Sequence, residues 1–120
     1  MSPQGAIVIV EPDDLIRPLM VRWLAEAGHR VFAAPKDHDP SMGMASLVIA
    51  DISDPATATS TIRLLQDAYS APILALSARF RRGLGVSSEA ARRLHVVKVL
   101  PKPFTREELL AAVDEAAQQS

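Results

Sequence analysis

Four apolar runs in this chain are too short for helices, and each ends on a polar residue. Ala6 to Val10 runs into Glu11, Leu47 to Ala50 into Asp51, Ile73 to Leu76 into Ser77, and Val96 to Leu100 into Pro101 and Lys102. Apolar runs of this length, broken only by Lys98 in the last and without regular polar alternation, suit strands buried on both faces. That is the state of a parallel sheet covered by helices on either side. Strands that alternate with helical segments imply right-handed crossovers and a doubly wound α/β domain. In such a sheet the carboxyl ends of the strands form one rim, and ligands bind there. Two acids, a hydroxyl and an ammonium therefore converge on a single place. The set suits an aspartate that accepts a phosphoryl group: the acids attract a divalent cation, and the hydroxyl and lysine meet phosphoryl oxygens.

The segments between the runs fit this plan. Asp14 to Ala27 is expected to be helical, with Leu15, Leu19, Val21, Trp23 and Leu24 as its apolar stripe and Gly28 as its stop. Asp13 and Asp14 supply an N-cap and a first-turn charge, and Pro18 falls close enough to that start to remove at most about one helical hydrogen bond. Arg30 to Ala34 is a fifth strand, second in chain order. Pro35 to Ser46 contains no convincing helix, only a possible turn around Ser41 to Ala45. Thr57 to Tyr69 is helical, with Ile62, Leu64, Leu65 and Ala68 inward. Phe80 to Val86 is an Arg/Gly-rich loop, and Ser87 or Ser88 caps a short helix to about Leu94. Thr105 opens the last helix with Glu108 at capping-box spacing, and Leu109, Leu110, Val113 and Ala117 form its stripe.

Composition narrows the function classes. A chain of 120 residues, 48% hydrophobic, can build one domain, residues 1–120, with a sizeable core. It has no cysteine, which excludes disulfides, thiol catalysis and zinc-thiolate sites. No segment has the pattern of a signal peptide or the length of a membrane span, so a cytoplasmic protein without membrane contact is the expectation. The net charge of −1 hides an asymmetry: residues 1–77 carry five Lys/Arg against nine Asp/Glu, and residues 78–120 carry eight against five. The basic excess (Arg79, Arg81, Arg82, Arg92, Arg93, Lys98) suits a solvated face or an acidic protein partner better than nucleic acid, because the whole chain is not basic. Asp37-His38-Asp39 has ligand-like residue types, but adjacent residues rarely converge on one metal.

With these residues in view, the chain resembles the receiver domain of bacterial response regulators, the CheY-like family, over nearly its whole length. Asp51 matches the phosphoacceptor, with Ile52-Ser53-Asp54-Pro55 as the loop after it. Ser77-Ala78 matches the small hydroxyl residue and its small neighbour. Lys102-Pro103-Phe104 matches the motif after the last strand. The resemblance implies a flavodoxin-like five-stranded parallel sheet in the order 2-1-3-4-5, with the second helix short or missing here. It implies a cis Lys102–Pro103 bond. It also implies phosphoryl transfer to Asp51 assisted by Ser77 and Lys102, and a weak magnesium site drawn from Glu11, Asp51 and Ser53.

The chain departs from the family pattern in three places. Pro12 stands where the family has its second adjacent acid, and Asp13 comes one residue late. Val99, three residues before the lysine, replaces a frequent aromatic. The second helix is weak, and the Glu11-to-Asp51 spacing is several residues tighter than typical. Glu11 could reach a cation with its extra methylene or sit in a buried salt bridge with Lys102; both readings stand at this level.

The expected function is a stand-alone receiver in a two-component phosphorelay. Its expected partners are a histidine kinase or phosphotransfer protein and a downstream protein, with a second copy of itself as a further candidate. The alternative is a degenerate receiver that binds partners without being phosphorylated. A small enzyme is the weakest option, since Glu11-Pro12-Asp13-Asp14 stands where a glycine-rich phosphate loop would be. The sequence gives no reason to expect enzymatic turnover.

Overall fold

A computed structural model of the chain describes residues 6–33, 45–52, 57–69, 71–77 and 96–119. Among them are five strands, β1 (Ala6–Val10), β2 (Val31–Ala33), β3 (Ala45–Asp51), β4 (Ile73–Ser77) and β5 (Lys98–Pro101). Three helices accompany them: α1 (Ile16–Glu26), α2 (Ala58–Tyr69) and α3 (Arg106–Gln119). The strands form one sheet in the order β2-β1-β3-β4-β5, and every pair is parallel. This is the flavodoxin-like order expected from the sequence.

The strand centres are apolar because alternate residues feed two separate cores. Ile7, Ile9, Leu47, Ile49, Leu74, Leu76 and Leu100 pack with Met20 and Leu24 of α1 and with Leu109, Ala112, Val113 and Ala116 of α3. Their neighbours Val8, Val48, Ala50, Ile73, Ala75 and Val99 face the other way, onto Ala58 and Ile62 of α2. Trp23 packs against the first core, as a structural residue.

Local chemistry sets the helix ends. Asp13, rather than Asp14, caps α1: its Oδ1 accepts from the Leu15 and Ile16 amides at 2.7 and 3.2 Å. The helix ends in a Schellman motif. The Gly28 amide donates to the Ala25 carbonyl at 3.0 Å and the His29 amide to the Leu24 carbonyl at 3.1 Å, with Gly28 at a φ of 97°. The α3 capping box forms as the spacing predicts. The Thr105 amide donates to Glu108 Oε1 at 2.8 Å, and the Glu108 amide donates to Thr105 Oγ1 at 3.1 Å. The Lys102–Pro103 bond is cis.

The helix stripes differ from expectation in phase. In α1 the inward line is Ile16, Met20 and Leu24. Leu15 and Leu19 fall on the solvent ridge with Arg22 and Glu26, which pair at 3.3 Å, and both leucines are exposed. In α2 the inward line runs Ala58, Ile62, Leu65, Tyr69. Leu64 lies almost opposite Ile62 on the helix and Ala68 about a third of a turn around from it, and both are exposed. In α3, Ala112 and Ala116 join Leu109 and Val113 inside, and Ala117 faces out. The expected turn at 41–45, the Arg/Gly-rich loop, the short helix to 94, Ser53 and most of the basic cluster lie outside the described residues; β3 itself opens at Ala45. No helix among the described residues is long and apolar enough to cross a membrane.

Candidate functional site

Register places the rim residues. β1 pairs with β3 through Val10 and Ala50, so Glu11 and Asp51 follow as the next neighbours, on the same side as Ile9 and Ile49. β4 pairs with β5 through Ser77 and Pro101, and the Lys102 amide donates to the Ser77 carbonyl at 3.0 Å. The structure thus gathers Glu11, Asp51, Ser77 and Lys102 at the carboxyl ends of four adjacent strands. Ser77 and the Glu11 side chain are each 1% exposed, Lys102 14% and Asp51 16%.

Lys102 organises the charges. Its Nζ lies 2.7 Å from Glu11 Oε1 and 3.4 Å from Asp51 Oδ1. At that distance the Glu11 contact is a close, buried ion pair. The other oxygen, Oε2, accepts from the Asp13 amide at 3.1 Å. Burial pulls the Lys102 ammonium down, but Glu11 and Asp51 more than offset this and hold its pKa above the ordinary 10.5. A lysine raised in the fold adds stability that is complete below pH 10.5 and disappears as pH climbs through the higher folded value. Tyr69 acts in the same direction, because burial raises its phenol above 10.0. Thermal melts taken from about pH 9 to about pH 11.5 should therefore show a falling midpoint above about pH 10, and Lys102→Met should blunt that fall. A flat profile in the parent would remove the lysine pair from the stability account.

Asp13 is not a member of this cluster. Its carboxylate is engaged by the α1 amides, and those two hydrogen bonds are the main reason its pKa is lowered from 3.8. Pro12 is exposed and brings no donor. A residue that sequence reasoning passed over is Arg17. It donates from Nη1 to the Glu11 carbonyl at 2.9 Å and pairs through Nη2 with Asp14, pinning the loop after β1 from both sides. The Asp14-to-Arg17 spacing of i, i+3 was the available signal.

The donor set for a divalent cation is reduced. Among the described residues no group of three His, Cys, Asp or Glu side chains converges on a metal-sized site. Glu11 and Asp51 remain, both facing the Lys102 ammonium. Two carboxylates fit a weak magnesium site, since magnesium retains several waters and needs only one or two protein carboxylates. Pro12→Asp should restore a third. We expect the magnesium-induced rise in melting temperature to exceed that of the parent, with affinity improved roughly tenfold. Comparing each protein with and without the metal cancels the loop entropy that the proline contributes. Equal magnesium responses would show that this loop does not face the cation.

No protein-family profile and no curated protein sequence matches the chain. Solved structures do. A response regulator receiver protein from Burkholderia phymatum is 20% identical, with a TM-score of 0.70 and coverage of 96% of each chain. A response regulator from Thermotoga maritima is 18% identical with a TM-score of 0.74, covering 97% of this chain and 99% of that one. The Vibrio cholerae chemotaxis protein CheY4 is 19% identical with a TM-score of 0.67, covering 95% and 99%. At these identities the likeness is one of fold, and it spans nearly the whole of each chain. With the sheet order, the cis bond before Pro103 and these structural neighbours in agreement, this chain has the CheY-like receiver fold of response regulators.

Proposed function

We propose that this chain is a phosphorylatable receiver in a two-component phosphorelay, with Asp51 as the acceptor. The observation that carries the reading is the position of Asp51. It ends a central strand, 3.4 Å from the Lys102 ammonium, with the Ser77 hydroxyl on the next strand. An Asp51 carboxylate oxygen forms the new P–O bond as the bond from phosphorus to the donor's leaving group breaks, giving an acyl phosphate. Lys102 offsets charge on the transferring group, and Ser77 donates a hydrogen bond to a phosphoryl oxygen. Magnesium, held by Glu11 and Asp51, would supply further neutralisation of those oxygens. The donor class is a phosphohistidine on a kinase or phosphotransfer protein. The output is a contact with a downstream protein, or with a second copy, rather than with nucleic acid or membrane.

The test is incubation with acetyl phosphate and magnesium, read by intact mass. A gain of one phosphoryl group supports the reading. No gain, under conditions that label an ordinary receiver, would move the degenerate, phosphorylation-independent receiver ahead. One observation favours that second reading: Pro12 carries no ligand, and Asp13 is committed to the α1 cap.

A further inference from the structure

We propose that Arg17 is a positioning residue for phosphoryl transfer: by fixing the Glu11–Pro12 peptide it sets the Glu11 carboxylate, and through it the Lys102 ammonium, beside Asp51. The inference rests on the reading of Asp51 as phosphoacceptor. Arg17 lies in the first turn of α1 and is half-buried. Its guanidinium bridges two groups of the preceding loop, donating from Nη1 to the Glu11 carbonyl at 2.9 Å and pairing through Nη2 with Asp14. The Glu11 carbonyl belongs to the rim itself, one residue past the end of β1.

A short chain of contacts carries this bond to the site. β1 fixes Val10 through its pairing with Ala50, so the first soft rotation after the strand is the one that turns the Glu11 carbonyl. Arg17 holds that rotation. Pro12 follows, and its ring locks φ near about −65°, so the orientation of the Glu11–Pro12 peptide passes stiffly to Asp13. The Asp13 amide donates to Glu11 Oε2 at 3.1 Å, which leaves Oε1 toward Lys102 at 2.7 Å. Lys102 Nζ in turn stands 3.4 Å from Asp51 Oδ1. The α1 backbone closes the circuit, because the Arg17 amide donates to the Asp13 carbonyl at 3.0 Å and Asp13 Oδ1 caps the helix. Asp14 is 86% exposed and holds the outer arm of the guanidinium. Losing Asp14 leaves the carbonyl contact in place, whereas losing the guanidinium removes both arms.

The experiment compares Arg17→Met with Asp14→Ala. Each is labelled with acetyl phosphate and magnesium well below its melting temperature, and the initial rate is read by intact mass. Arg17→Met should label roughly tenfold more slowly than the parent, since a small displacement of a charge beside the nucleophile costs rate. Asp14→Ala should keep the parent rate within about twofold, because an exposed ion pair contributes little and the carbonyl contact survives. A parent-like rate in Arg17→Met would overturn the proposal. So would an equal loss in both variants, the mark of a loop held only for stability. The second measurement needs no donor. The Lys102 side-chain methylene resonances next to Nζ should move in Arg17→Met and stay at their parent positions in Asp14→Ala. Resonances unmoved in Arg17→Met would also overturn the idea. A parent that takes no label counts against the phosphoacceptor reading, and these resonances then decide on their own whether Arg17 places Lys102.

Discussion

Asp51→Asn should abolish labelling by acetyl phosphate, by roughly a hundredfold or more. A carboxamide lacks the anionic oxygen that attacks phosphorus, and among the described residues no second acid is placed to take over. Glu11 is the nearest alternative, but its oxygens are occupied by Lys102 at 2.7 Å and by the Asp13 amide at 3.1 Å. Asp13 and Asp14 are committed to the α1 cap and to Arg17. The variant is a clean test because it is nearly isosteric. It removes one of two negative charges facing Lys102, so stability should change by no more than about 1 kcal/mol. Intact mass gives the stoichiometry, and peptide mapping gives the site. Undiminished labelling, or label mapped to Glu11, would sink the assignment of Asp51.

Much of this architecture was legible in the sequence because parallel strands announce themselves. The runs before Glu11, Asp51 and Ser77 are apolar on both faces, and in each case the polar residue that breaks the run marks the rim. Thr105 with Glu108 and the glycine after α1 are local devices, so their geometry followed from spacing alone. Helix phase was less legible. Leucines at 15 and 19 looked like a stripe, yet Met20 is the residue that is fully buried between Ile16 and Leu24. Apolar residues on both sides of a short helix leave the period ambiguous by one position, and tertiary packing resolves it. The choice between a metal-reaching Glu11 and one paired with Lys102 could not be made from sequence. It depends on where a four-carbon side chain leans, which only the folded rim fixes, and the fold brings the two within 2.7 Å.

That pair should dominate the response to mutation. Lys102→Met is expected to cost about 2–3 kcal/mol in metal-free buffer, near the lower end of the range for breaking a buried ion pair because Lys102 and Asp51 keep some solvent contact. For a domain of this size that is a fall of about 10 °C in melting temperature. The methionine fills most of the volume of the lysine stem, so the loss is electrostatic rather than a cavity effect. What remains is Glu11, 1% exposed at its side chain, and Asp51, both without the ammonium that faced them. The damage is therefore repairable from the other side. Adding Glu11→Gln to Lys102→Met removes the stranded charge and should recover half or more of the loss. The two substitutions would then show a coupling of at least about 1 kcal/mol in a double-mutant cycle. High salt should change the parent's stability little, since a buried pair is poorly screened. If Lys102→Met costs less than about 1 kcal/mol and Glu11→Gln does not rescue it, the pair behaves like an exposed one. Solvent, rather than the two side chains themselves, would then offset the charges of the pair.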